Sequence, residues 1–185
     1  MDYPQFKYHP NAYKLDIFIK EDGICSVCKQ QRNLKYNCSF YSIDKPDYIC
    51  PWCIENGEVA KKFEGSFFDL ADLEGAIFHQ QADGDFYFTH EMNPELIDTI
   101  LYKTPSYFTW QQAVWLTHCM SPCKFIAYAT SENIKDIYNE LIPDIQESCV
   151  NEDSIQNNMY EDGWFKGYLF QCVHCSQHRL HIDCS

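Results

Sequence analysis

Two close pairs of thiols stand near the start of the chain, Cys25 with Cys28 and Cys50 with Cys53. A CxxC turn is tight enough to aim both sulfurs at one ion about 2.3 Å away, and two such turns complete a tetrahedron. Residues 29–49 lie between the pairs, close to the spacing of a zinc ribbon. Gly23 precedes the first pair and Pro51 sits inside the second, both residues that favour turns. The expectation is a closed zinc site of four sulfurs. Two other chemistries compete. Cys50-Pro51-Trp52-Cys53 also fits a thioredoxin-like redox pair that opens a helix. Buried cysteines can also be inert packing. The redox reading leaves Cys25 and Cys28 without a role.

A second set lies further on. Cys119, Cys123, Cys172 and Cys175 offer four more sulfurs, with a looser x3 spacing in the first pair. His118, His174, His178 and His181 lie close by, and His118, His174 or His178 can replace a sulfur. The expected cofactor is therefore zinc, two ions in all. Cys123 and Cys119 as plain core thiols are the bland alternative. Cys38, Cys149 and Cys184 are left over and read as reduced cysteines, with Cys184 near enough to the last pair to substitute in it. Eleven cysteines cannot all be paired as intramolecular disulfides.

The surface chemistry limits the partners. With 27 acidic and 14 basic side chains the formal charge is −13. A phosphate backbone is repelled by such a field, so nucleic acid is disfavoured, and a protein partner with a basic surface is favoured. No apolar run approaches the roughly 20 residues of a membrane span. The first residues lack the basic-then-apolar pattern of a secretory signal, so a cytoplasmic, thiol-reducing setting is expected.

The elements that must position these residues are partly legible. Alternation of Leu15, Ile17 and Ile19 predicts a strand over 14–20 leading into the first pair. A short hairpin is expected near 36–41 and a helix over 58–63. Asn93-Pro94-Glu95 supplies a cap, a first-turn proline and an early acid for a helix that Pro105 ends. Thr109 reads as the cap of a helix over 110–119, with Trp110, Ala113, Val114 and Thr117 on one stripe. A strand follows over 123–129. Ser131 reads as the cap of a helix from 132 to about 141, stopped by Pro143, and another helix falls around 154–160. The segment Tyr168 to Cys175 reads as a strand running into a metal knuckle, with 178–183 as its return. The fold class is α+β: a single compact domain over 1–185, with zinc-ribbon-like knuckles and β-hairpins packed against a few short helices. The N-terminal knuckles span about 20–60, and a C-terminal knuckle at about 165–185 folds back on 115–130.

With these pieces placed, the chain resembles the CbrC family, a bacterial group associated with colicin tolerance. The matching pieces are Phe6-x-Tyr8-His9-Pro10, Cys25-x2-Cys28, and Cys50-Pro51-Trp52-Cys53-Ile54-x2-Gly57-x2-Ala60-x2-Phe63. They continue with Thr104-Pro105-Ser106-Tyr107-x2-Trp110-Gln111, Trp115-x2-His118-Cys119-x3-Cys123-x-Phe125, and Gly167-Tyr168-Leu169-Phe170-x-Cys172-x-His174-Cys175. Ser106 and Ser176 stand where the family pattern implies glycine. The resemblance implies a whole-chain bacterial domain and a stress-tolerance label, and names no reaction.

HExxH, P-loop, GxSxG and dinucleotide-binding fingerprints are all absent from the sequence. Four thiolates close a site against substrate, so the first zinc reads as structural. The leading reading is a non-enzymatic zinc protein of bacterial stress or colicin tolerance that acts by binding a partner. A zinc hydrolase using the second site, and a thiol redox protein, are the alternatives. His9, between an aromatic and a proline, reads as a packed structural residue, and Tyr107, Trp110 and Trp115 as core.

Overall fold

The structure is a computed structural model that describes residues 2–160 and 163–184. Its first strand begins later than the alternation predicts. Asp16 adopts a left-handed φ of 56°, so residues 11–16 turn, and β1 runs Phe18–Ile24. It pairs antiparallel with β2, Gln31–Tyr36, and a bulge falls between Lys20 and Gly23. A Cβ on Gly23 would lie 2.6 Å from ring carbons of Tyr48, so glycine is needed where that ring packs. No separate hairpin forms near 36–41. Tyr36 ends β2 and Tyr41 makes an isolated bridge with Ser66.

Two short helices follow. Pro51 opens α1, Pro51–Glu55, and α2 spans Glu58–Phe63, the range expected for it. Then β3, Ile77–Gln80, and β4, Phe86–Thr89, form a hairpin with Phe78, Phe86 and Tyr87 exposed. The next helix, α3, is Pro94–Lys103. Its start is set locally, because the Asn93 side chain accepts from the Glu95 backbone N–H at 2.9 Å. Ile100 and Leu101 face the core.

The helix expected over 110–119 does not form. Long-range contacts take its residues instead. Trp115 is fully buried, makes a parallel bridge with Leu73, and donates from Nε1 to the Cys123 carbonyl at 2.9 Å. Trp110 is exposed. Next come β5, Thr117–His118, and β6, Ser121–Pro122, joined by a two-residue turn at Cys119 and Met120.

The C-terminal part is built on a three-stranded antiparallel sheet in the order β7 (Lys124–Ala129), β8 (Phe165–Gln171) and β9 (His178–Cys184). Between β7 and β8 lie α4 (Ser131–Ile134), a 3-10 turn, α5 (Tyr138–Glu147) and α6 (Glu152–Asn158). Thr130, not Ser131, caps α4, in a reciprocal capping box with Asn133. Pro143 sits inside α5 rather than ending it. A proline there costs about 3 kcal/mol, offset by burying Leu141 and Ile145 on the sheet side. The expected helix at 154–160 starts and ends two residues earlier.

The described residues form two apolar clusters. The larger joins the N-terminal half to β7 and β8 through Tyr8, Phe68, Tyr107, Trp115, Phe125 and Phe170. The smaller lies under α5 and α6, with Ile145, Ile155, Leu169 and Leu180. The α+β class with knuckles and hairpins against short helices is what the chain adopts. Among the described residues no helix is long and apolar enough to cross a membrane.

Candidate metal centres

The β1–β2 turn and the start of α1 bring four sulfurs together. Cys25, Cys28, Cys50 and Cys53 offer ligand atoms all within 4.8 Å of one another. The Sγ–Sγ separations are 3.8 Å for Cys25–Cys53, 3.9 Å for Cys28–Cys50 and 3.5 Å for Cys50–Cys53. A tetrahedron with arms of about 2.3 Å has edges of about 3.8 Å, so the spacing suits one zinc-sized ion. Cys25, Cys50 and Cys53 are buried and Cys28 is half-buried. The Arg32 guanidinium lies 3.9 Å from the Cys28 sulfur and 4.3 Å above the Trp52 ring. A cation is thus held against the open side of the group.

Protonation shows what four crowded sulfurs need. Hydrogen bonding with Cys50 and Cys53 holds the Cys25 thiol well below its usual range. The same contact with Cys25 pushes Cys53 far up and Cys50 up to about 11. With a divalent ion all four sulfurs can be thiolates.

A second group forms where the β5–β6 turn meets the β8–β9 knuckle. It consists of His118, Cys119, Cys172 and Cys175, again within 4.8 Å. His118 Nδ1 lies 3.2 Å from the Cys119 sulfur and 3.4 Å from that of Cys175, and the two sulfurs are 3.9 Å apart. Burial pushes the Cys172 thiol up, but the N–H groups of Cys175 and His174 outweigh it and bring it down to about 6.

Cys123 is not in this group. It is fully buried one residue before β7, and burial pushes its thiol up to about 12, with the nearby Cys172 and Cys175 sulfurs adding to the rise. The adjacent turn presents His118 and Cys119 instead, so of the expected substitutes His118 takes the fourth place. His174 lends only its backbone N–H, to the Cys172 sulfur at 3.4 Å. His178 bonds Glu140, and His181 lies 3.2 Å from Asp183. Cys184 does not substitute either. It is joined to Cys149 as a disulfide, because β9 returns it beside the loop after α5. That departs from the reduced state expected for both. Cys38 remains a free, half-buried thiol.

The two knuckles share one backbone pattern. The first cysteine's N–H bonds the carbonyl five residues on, Cys25 to Gln30 at 3.0 Å and Cys172 to Gln177 at 2.8 Å. The N–H two residues on meets the cysteine sulfur at 3.4 Å in both, from Val27 and from His174.

One positioning residue carried no sequence signal. Arg179 on β9 donates from Nε to both Asp144 oxygens at 3.0 Å, from Nη2 to Glu74 Oε1 at 2.8 Å, and from Nη1 to the Thr117 carbonyl at 2.7 Å. Glu74 in turn accepts from the Thr117 N–H at 2.7 Å. The strand carrying His118 is fixed from below by this network. Its members are far apart in sequence, so no local spacing could expose it.

A family model described as "Uncharacterised protein family (UPF0167)" matches residues 3–184. The chain belongs to this family. UPF0167 proteins of Mycobacterium bovis and Mycobacterium tuberculosis are each 25% identical over 192 aligned positions, covering 97% of this chain and 92% of theirs. A UPF0167 protein of Pseudomonas aeruginosa is 27% identical over 186, covering 97% of this chain and 96% of its own. No solved structure matches. The UPF0167 relationship thus extends over both cysteine groups and the three-stranded sheet, and the relatives compared are bacterial.

The two departures from the CbrC-like pattern behave differently. Ser176 has φ 63°, a conformation that favours glycine, whereas the buried Ser106 is not left-handed and its N–H donates to Tyr36 Oη at 3.0 Å.

Proposed function

We propose that this chain is a zinc protein whose two ions are structural joints, and that it acts by binding a partner rather than by catalysing a reaction. The observation that carries the reading is the first group: four sulfurs at tetrahedral spacing, three of them buried, with no ligand position left for substrate. Zinc fits this donor set because it takes thiolate and imidazole in four-coordinate geometry. One ion would tie the β1–β2 turn to α1. The other would tie the β5–β6 turn to the C-terminal knuckle through His118, Cys119, Cys172 and Cys175.

In this reading the first site adds about −2 and the second about −1 to a chain already at −13. A partner with a basic surface is favoured, and nucleic acid is not. Thiolate sites suit a reducing, cytoplasmic compartment, in which the Cys149–Cys184 pair would be held as thiols. Residues 1–185 would act as one unit. The CbrC resemblance adds bacterial colicin tolerance as the cellular setting.

The hydrolase alternative loses ground because the second group also supplies four ligands. The redox alternative loses ground because Cys50 and Cys53 share their place with Cys25 and Cys28. Native mass measurement with elemental analysis, after purification under reducing conditions, tests the proposal. Two zinc ions per chain are expected. A folded protein without zinc would overturn it.

A further inference from the structure

The two groups have the same number of ligands and similar spacing, but they differ in access. Cys25, Cys50 and Cys53 are at most 2% exposed, and Arg32 covers the side of Cys28. In the second group only Cys172 is buried, at 1%, while Cys119 and Cys175 are exposed. Proximity does not separate the groups, since sulfurs in both approach to within 3.9 Å. Reaction with a dissolved electrophile requires an open line of approach to sulfur, and Cys119 and Cys175 have it.

We propose that Cys119 and Cys175 are an oxidant-reactive pair: a hydroperoxide joins them as a disulfide and expels the ion they hold with His118 and Cys172. The inference rests on the zinc reading above. In the first step one thiolate attacks an oxygen of the peroxide, the O–O bond breaks, and the departing oxygen takes a proton. The sulfur becomes a sulfenic acid. In the second step the other thiolate attacks that sulfur, the S–S bond forms, and the S–O bond breaks. Hydroxide leaves and is protonated to water. Two sulfurs lose two electrons in total and the peroxide gains them.

The geometry permits the closure. The sulfurs must move from 3.9 Å to about 2.05 Å. Both sit on turns, Cys119 between β5 and β6 and Cys175 in the β8–β9 connection, so neither sheet has to break. Cys119 and Met120 both hold left-handed φ, 52° and 55°. Such a two-residue turn suits Asn-Gly, so this one is held at a cost that an ion would offset. Once both thiolates are consumed, His118 and Cys172 are two ligands where a closed zinc site needs four.

The test uses full-length protein purified with zinc, with its metal content measured first. Hydrogen peroxide in molar excess is added, released zinc is followed with a chromophoric chelator, and the disulfides are mapped by peptide mass. Release of one of the two ions is expected, with a new linkage between the Cys119 and Cys175 peptides. The Cys149–Cys184 linkage is counted separately. Reductant plus zinc should restore the starting content. Retention of both ions, loss of both together, a Cys172–Cys175 linkage, or sulfinic acid without a disulfide would each overturn the inference and leave the zinc reading standing. A starting content of no zinc would instead remove the zinc reading itself. C119S and C175S should each abolish the linkage. The wild-type map decides the matter if either variant fails to fold.

Discussion

Lys29 and Ser176 occupy the same place in two different knuckles, the residue after the second cysteine, and both adopt the left-handed conformation, at φ 60° and 63°. A β-carbon in that region is strained by roughly 1–2 kcal/mol, and glycine relieves this at some entropic cost. Both side chains are exposed, so little packing is lost. Lys29→Gly and Ser176→Gly are each expected to raise stability by roughly 0.5–1 kcal/mol. Denaturant midpoints of the metal-loaded proteins measure this. A loss of stability in both variants would show that the knuckle backbones are not set as described.

The same two turns show how far the sequence could be read. Cys25, Cys28, Cys50 and Cys53 were legible because turn geometry and ligand spacing are local properties. So were α2, and α3 with its Asn93 cap and first-turn proline. The stretch 110–119 was not. Its helical spacing of apolar residues was real, but Trp115 was claimed by Leu73 and the Cys123 carbonyl. Those contacts outweigh a weak local preference. Spacing alone puts Cys123 with Cys119, Cys172 and Cys175, whereas the ligand atoms that lie within 4.8 Å of one another there are those of His118, Cys119, Cys172 and Cys175. Neither the Cys149–Cys184 pairing nor the Arg179 network has a local signature, since each joins segments distant in sequence.

Arg179 gives a test of that network. Its side chain is 17% exposed and its carboxylate partners Asp144 and Glu74 are 9% and 34% exposed. Arg179→Met keeps the length of the stem but leaves Asp144 without its cation and the Thr117 carbonyl without its donor. A loss of about 2 kcal/mol is expected, below the 3–5 kcal/mol of a fully buried pair because solvent screens Glu74. His118 follows Thr117 directly, so the second ion should also exchange faster with a chelator while the first is unchanged. Equal exchange of both ions in the variant and the wild type would argue against a positioning role.

The fourth ligand of the second group separates two residues close in sequence. Cys123→Ala removes a buried sulfur outside the group, so the protein should lose about 1 kcal/mol and keep its full zinc content. His118→Ala leaves three sulfurs and admits water to the ion. That variant should surrender one ion to a chelator that the wild type resists. Zinc analysis after dialysis against the chelator reads both outcomes. The opposite pattern would restore Cys123 to the site and remove His118.

His9 supplies a pH dependence that is independent of the metals. It is fully buried, and its Nδ1 lies 2.9 Å from the Pro105 carbonyl, which can only accept. Nδ1 therefore carries the proton, and Nε2 is buried without a hydrogen-bond partner. Burial brings the imidazole down to about 4, against the smaller opposite pull of the Pro105 bond. The unfolded chain binds a proton near pH 6.5, while the folded chain binds none until about 4. Between these values the unfolded state holds more protons, so stability rises with pH. The contribution is complete above about 6.5 and is lost as pH falls towards 4, amounting to about 3 kcal/mol across the window. Acid also protonates the metal ligands, so the informative quantity is a difference. His9→Gln cannot titrate, and both proteins carry the same cysteine groups. Urea unfolding at several pH values from 7 to 4.5 should show the wild type losing stability faster than His9→Gln, with the gap closing or reversing at the acid end. Parallel curves would mean that the imidazole is not held neutral in the folded core.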